Sequence, residues 1–255
     1  MTTSDKLSAR ELCDGTFLLM WRELAALFDS GVAAIYTVAF ALLANSIFMN
    51  EFFLTGNVDM GAWFELLPLL LAFFLPAVSM RLWAEERKSR TIEYLFTLPI
   101  RPVQAILAKF LAGLGLFELF LLTSLPIPIM LAVLGSPDWG TILSSYLGLW
   151  LLGACFLAIG CLLSALAKDQ IVAFVTTTLV AFALVLSGQS GVVSVLDGLA
   201  PSLSLGTLLY EWVSVVPHYE AFLAGVVSAS SVVYFLAVTT MALYACGLVL
   251  QRNRA

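Results

Sequence analysis

Charged side chains are scarce in this sequence. They make up 11% of its 255 residues, whereas hydrophobic residues make up 61%. A soluble domain of this size carries roughly 25% charged residues to cover its surface, so most of this surface faces something other than water. Apolar runs recur that exceed the roughly 18 residues needed to cross a hydrocarbon core about 30 Å thick. The sequence therefore predicts an all-α polytopic membrane protein.

The residues that carry most enzyme chemistry are also scarce. None of the lysines follows a glycine, so the chain has no Walker A phosphate loop. The only histidine, His218, excludes an HExxH motif and any site with several histidine ligands. No aspartate lies centrally in a predicted span, which argues against intramembrane proteolysis by paired aspartates. We therefore expect no catalysis by this chain alone, no metal site, no bound cofactor and no nucleic-acid partner.

The cysteines show no metal-binding or redox spacing. They form no CxxC pair, and three of them fall in apolar runs. Small buried thiols are the usual interpretation of such positions. The cysteines concerned are Cys13, Cys155, Cys161 and Cys246.

Hydropathy predicts six transmembrane spans. Before them, residues 16–29 place apolar side chains on one helical face and charged ones on the other, as in a helix lying in the membrane interface. Polar and proline residues interrupt 189–228 too often for a clean crossing, which favours two short re-entrant or surface helices. The predicted spans are 31–49, 62–82, 105–133, 142–166, 171–188 and 229–250.

Charge predicts the orientation of these spans. With six crossings, all twelve basic residues fall on one side, and the opposite loops contain acidic residues but no lysine or arginine. The positive-inside rule then places both termini in the cytoplasm and 189–228 outside. A seventh crossing would move Arg252 and Arg254 to the outside, so the count of six is preferred.

The predicted cytoplasmic segment 85–99 carries the most information about a partner. Glu86 and Arg90 are spaced to support a helix with a solvated face, and Pro99 ends it. One interpretation is an interfacial connector whose basic residues contact anionic lipid. The other is a short amphipathic helix that docks into a groove of a soluble partner.

Glu118 stands near the middle of the third predicted span. A carboxylate buried in a membrane is expensive and is functional or paired. Two interpretations stay open: an intramembrane functional site, or a structural carboxyl bonded to a neighbouring helix.

Several stretches resemble the permeases of the ABC-2 type, and within them the gliding-motility-type permease. The stretch at 75–100 contains an EER cluster, then the pattern T-x-E-x-L, then a proline. Arg90 stands where the family usually has glycine. The stretches are Phe28-Asp29-Ser30 before the first span, LPAVSMRLWAEERKSRTIEYLFTLPI (75–100), LGSPDWGTILSSYLGLWLLG (134–153), SALAKDQIVAF (164–174) and VPHYEAFLAGVV (216–227).

The resemblance implies a single transmembrane domain, 1–255, in the bacterial inner membrane. It makes 85–99 a coupling helix that contacts a separately encoded ABC ATPase, which would bind ATP and Mg²⁺. It further implies a second permease subunit, the same or different, and allows a periplasmic or membrane-anchored accessory protein. The contact residues implied are Glu85, Glu86, Arg87, Arg90, Thr91 and Glu93.

Other functions remain open from the sequence. A secondary transporter would use Glu118 as its intramembrane polar site. A membrane scaffold would need 85–93 only for stability. A lipid-modifying enzyme would need a convergent polar cluster that the sequence does not reveal.

Overall fold

The computed structural model describes residues 9–56, 59–89, 91, 101–199 and 204–252. Within those ranges it is built of helices alone, without a β-strand. The helices are α1 (Ala9–Asp29), α2 (Val32–Thr55), α3 (Gly61–Ser79), α4 (Arg81–Lys88), α5 (Pro102–Leu122), α6 (Pro126–Leu134), α7 (Trp139–Leu166), α8 (Gln170–Leu186), α9 (Ser190–Leu199), α10 (Leu205–Trp212), α11 (Val216–Leu223) and α12 (Ala229–Arg252).

The structure confirms a multi-pass bundle and qualifies the predicted count of six. The fifth predicted span, 171–188, corresponds to α8, which reaches spanning length only together with α9 across a bend of 85°. The described part of the chain thus has five candidate spans, or six if this bent pair counts as one. The five helical stretches that are long and apolar enough alone are Val32–Thr55, Gly61–Lys88, Pro102–Leu134, Trp139–Leu166 and Ala229–Arg252.

Two elements differ from the prediction. The described part of the N-terminal helix, Ala9–Asp29, extends before residue 16. Its first turns lack the apolar spacing on which the prediction relied, although alanine, arginine, glutamate and leucine are good helix formers. The described residues of 189–228 form three helices, α9 to α11, rather than two. Pro217 lies in the first turn of α11, where proline starts a helix instead of continuing one.

The long helix α7 is the centre of the bundle, and α3, α5, α8, α11 and α12 all contact it. Three glycines let its neighbours approach closely. A Cβ at Gly148 would meet Phe222, one at Gly153 would meet Phe117, and one at Gly160 would meet Ser79. Small residues at helix contacts are the usual device of membrane bundles, because lipid removes the hydrophobic drive between helices.

Side chains replace backbone hydrogen bonds that prolines and breaks remove. Pro68 cannot donate to the carbonyl of Phe64, and the hydroxyl of Tyr219 donates to that oxygen at 2.9 Å. Between α5 and α6, the amide of Asn45 donates to the carbonyl of Thr123 at 3.1 Å. Backbone groups freed inside a membrane must find such partners, so these contacts hold α3 and α5 in place.

The bundle has one end rich in basic residues, which we call the basic end. There α4 extends α3 and contacts α7 and α8. The indole of the fully buried Trp83 donates to Cys161 Sγ at 3.2 Å, and Cys246 Sγ lies 3.9 Å from Cys161 Sγ. Cys155, Cys161 and Cys246 are buried free thiols, as predicted, and the side chain of Cys13 lies outside the described residues.

We expect Gly153→Ala to destabilise the bundle. The added Cβ would lie 2.2 Å from the ring of Phe117, which is fully buried and cannot swing away. Overpacking of this kind costs about 1–3 kcal/mol, measurable by denaturation in mixed micelles. Gly191→Ala is the matched control, because its Cβ meets nothing within 4 Å. Equal stability of the two variants would contradict the close α5–α7 contact.

Candidate functional site: the charged junction of α1, α4 and α5

A buried lysine joins three helices at the basic end. Lys109 of α5 exposes only 3% of its side chain. Its ammonium lies 2.8 Å from Glu23 Oε2 of α1 and 2.8 Å from Glu86 Oε1 of α4. It also lies 5.2 Å from the centre of the Trp83 ring, within range of a cation–π interaction. One positive charge thus holds two other helices to α5, and we call this group the charged junction.

The charges of the junction balance when Arg22 is included. Arg22 Nη2 lies 2.8 Å from Glu23 Oε1, so two cations face the two carboxylates. Burial alone would raise the pKa of Glu23, but the ammonium of Lys109 and the guanidinium of Arg22 outweigh it and lower this pKa. Glu23 is therefore ionised at neutral pH. Glu86 keeps one buried oxygen, Oε2, without a hydrogen-bond partner among the described residues.

The helix α4 is also fastened to the turns on either side of the junction. Arg81 Nε lies 2.8 Å from Glu85 Oε2, and Arg81 Nη1 donates to Ser30 Oγ, before α2, at 3.0 Å. Arg87 Nη1 donates to the carbonyl of Leu166 at 3.2 Å. Lys88 Nζ lies 3.2 Å from Asp169 Oδ2 in the turn that opens α8.

A serine of α7 completes these contacts. Ser164 Oγ accepts from the backbone N–H groups of Trp83 and Ala84, at 3.1 Å each, and donates to the carbonyl of Met80 at 3.1 Å. It thereby supplies partners for backbone groups at the join between α3 and α4. A displacement of α4 would act on α1, α5, α7 and α8 together.

The predicted contact residues do not all face outward. Glu85 and Thr91 are accessible, whereas Glu86 points into the charged junction with 19% of its side chain exposed. Arg90 and Glu93 lie outside the described residues, as does most of the predicted helix 85–99. The part that is described, α4, begins at Arg81 and ends at Lys88.

The side chain of Glu118 is not buried as the sequence predicted. It lies on the outer face of α5, exposed from the bundle, and accepts a hydrogen bond from the indole of Trp150 on α7. In the interior of the bundle, the hydroxyls of Tyr146 and Ser124 form a hydrogen bond of 2.8 Å. The function of Glu118 as an intramembrane site stays a prediction. Among the described residues, no group of three or more His, Cys, Asp or Glu side chains could hold a metal ion.

Sequence reasoning missed the partners at the centre of the junction. Lys109 was counted only among the basic residues that set orientation, and Glu23 only as part of a polar face. A lysine inside the apolar run AILAKFLAG is an expensive residue that requires a partner, which was a usable signal. No spacing rule links Glu23, Glu86 and Lys109, because they come from three separate segments.

A cavity of about 390 Å³ lies beside the junction. Its charged lining consists of Glu23, Arg81, Glu85, Glu86 and Lys109. Three carboxylates against two cations leave it with an excess of negative charge.

The family model described as "ABC-2 family transporter protein" matches residues 55–250, most of the chain. No curated protein matches the chain. The chain therefore belongs to the ABC-2 transporter family and is a multi-pass membrane subunit rather than the ATPase itself. Membership of this family implies an ATPase partner and a dimer of permease subunits.

We expect Lys109→Met to be strongly destabilising. It leaves Glu23 and Glu86 partly buried without the ammonium between them. Removal of one partner of a buried ion pair costs about 3–5 kcal/mol, measurable by chemical denaturation in detergent. Lys168→Met is the control, since Lys168 is exposed and joins no ion pair within the described ranges. If Lys109→Met lowered the free energy of unfolding no more than Lys168→Met, the charged junction would not stabilise the protein.

The pKa of Glu23 predicts a dependence on pH. Because it is lower in the folded than in the unfolded protein, the stabilisation is present above the unfolded pKa of about 4.3 and is lost as pH falls through the folded pKa. Glu23→Gln should lower the free energy of unfolding by about 1–3 kcal/mol at pH 7. At the acid end of a denaturation series it should lower it little. Asp29→Asn, at an exposed position of the same helix, should cost little at either pH. A constant penalty for Glu23→Gln would contradict the pairing.

Proposed function

We propose that this chain couples ATP hydrolysis by a separate ATPase subunit to export of a substrate or to conformational work on an accessory protein. In this proposal the basic end faces the cytoplasm of a bacterial inner membrane. The ATPase contacts α4 and the segment that follows it to residue 99. The observation that carries the proposal is the fastening of α4 to four other helices through Lys109, Ser164 and Lys88.

The proposal assigns different tasks to the accessible and to the inward-facing residues of this segment. Glu85 on α4 and Thr91, which follows α4, are accessible and suit contact with a partner. Glu86 is turned inward to Lys109, so it suits transmission of movement to α1 and α5 rather than contact. Closure of the ATPase dimer on ATP would move α4, and the junction would carry that movement into the bundle. Mg²⁺ and ATP would be bound by the partner.

The remaining parts of the proposal follow from family resemblance. A second permease subunit, identical or different, would complete the membrane domain. The helices α9 to α11 lie at the end of the bundle opposite α4, where an accessory protein outside the cytoplasm would dock. The subfamily proposed is the gliding-motility type, on the residues at 75–100 and 134–153.

The alternative, a secondary transporter using Glu118, has less support. Glu118 faces outward from the bundle and pairs with Trp150. Coupling of an ion to transport requires carboxylates that face an interior pathway. A scaffold remains testable, since it predicts that substitutions on α4 alter stability alone.

The test separates contact from coupling. The tagged chain is purified from its native membrane in mild detergent, and bound proteins are identified by mass spectrometry. We expect an ABC ATPase with the wild type and roughly tenfold less with Thr91→Arg, the size of a 1.4 kcal/mol loss in affinity. Thr55→Arg, an exposed threonine at the end of α2 far from α4, is the matched control and should leave recovery unchanged.

Glu86→Gln tests the inward face. We expect this variant to bind the ATPase at the wild-type level. In reconstituted vesicles, we expect the variant to stimulate the ATPase less than the wild-type permease does. Absence of an ATPase in several detergents would refute the proposal. Loss of recovery in Glu86→Gln with a folded protein would instead show that Glu86 lies in the contact surface.

A further inference from the structure

A largely apolar groove lies between α1 and the start of α5, nearer the N-terminus of α1 than the charged junction. Its volume is about 590 Å³. Phe17 and Met20 of α1 form one wall, and Val103, Leu107 and Leu111 of α5 form the other. The α5 residues are spaced four apart, so they follow one face of the helix for two turns.

Among the described lining residues, Arg101, which caps the start of α5, is the one charged side chain, and none of them is a carboxylate. Arg101 is exposed and takes part in none of the ion pairs found among the described residues. The cavity beside the junction, by contrast, contains three carboxylates, which would repel an anion.

The groove opens towards the region where lipid is expected. Phe17 and Trp21 are each 63% exposed on α1, and Trp is enriched at the level of lipid headgroups. On α5 the exposed face continues beyond the groove through Glu118, which accepts a hydrogen bond from Trp150, to the exposed Leu122. The groove therefore opens on the exposed face of a stretch apolar enough to span the membrane.

We propose that this groove binds an anionic phospholipid, with an acyl chain along Phe17, Leu107 and Leu111 and the phosphate at Arg101. The match of charge favours this occupant. Arg101, which joins no ion pair among the described residues, stands at the mouth of a groove whose other lining is apolar except for Thr16 and Gln104. Arginine binds phosphate through paired N–H donors. The lipid fills the space between α1 and α5 and fixes α1 beside the charged junction. This site does not depend on the ATPase.

Native mass spectrometry of the detergent-purified protein, titrated with phosphatidylglycerol or phosphatidylcholine, tests the site. We expect the wild type to retain phosphatidylglycerol preferentially. Arg101→Gln should reduce that preference about fivefold, the contribution of one basic residue near an anionic surface. Arg101→Lys should keep much of it. Arg252→Gln, which removes an exposed arginine at the same end of the bundle, should leave it unchanged.

Leu107→Trp tests the apolar wall, because the larger ring fills the groove and should lower retention of both lipids. Thermal unfolding confirms that each variant is folded. An unchanged lipid preference in Arg101→Gln, or an equal fall in Arg252→Gln, would overturn the proposal. If Arg101→Gln and Leu107→Trp instead reduced recovery of the ATPase or of a second permease while lipid binding stayed constant, a protein would be the occupant and the lipid site would be refuted.

Discussion

The buried ammonium of Lys109 is the constraint on which the basic end of the protein depends. A lone cation at 3% exposure would be prohibitively expensive, so α1 and α4 each supply a carboxylate at 2.8 Å. The ion pairs fix which faces of these helices meet. They also restrict the movement of α4 relative to α5, since separation of either pair would strand a charge in a partly buried site. Rigid attachment of this kind suits a helix that must pass movement into a bundle.

The rest of the bundle is held by packing instead of charge. Along α7, glycines at 148, 153 and 160 admit Phe222, Phe117 and Ser79 to within contact of the backbone. Hydroxyl and amide groups then repair the backbone wherever proline or a helix break removes a bond, as Tyr219 does for Phe64. The two modes of attachment occupy different regions: close packing through the apolar spans, and ion pairs where the helices leave them.

The charge pattern of 81–109 directed attention to the segment that contains Glu86 and Lys109, whereas the arrangement of their contacts was not predictable. Contact of this segment with a partner stays a prediction. The inward direction of Glu86 was not predictable, because a helix of eight residues with charges all around offers no periodic signal for which face is covered. The exposure of Glu118 was not predictable for a related reason: hydropathy gives depth along a span but not the side of the helix that faces the bundle.

Composition and hydropathy alone determined the class of protein, the positions of most spans and the separation of basic from acidic ends, because these properties depend on residue type and chain length. Partners distant in the chain were decided by the tertiary structure. The contact of Glu23 with Lys109 joins residues 86 positions apart, and that of Ser164 with Trp83 joins residues 81 apart. The fifth predicted span is likewise divided by a bend of 85° between α8 and α9, which depends on how these two helices pack. Local sequence sets which segments form helices, whereas the need to pair every buried charge and backbone group sets how those helices meet.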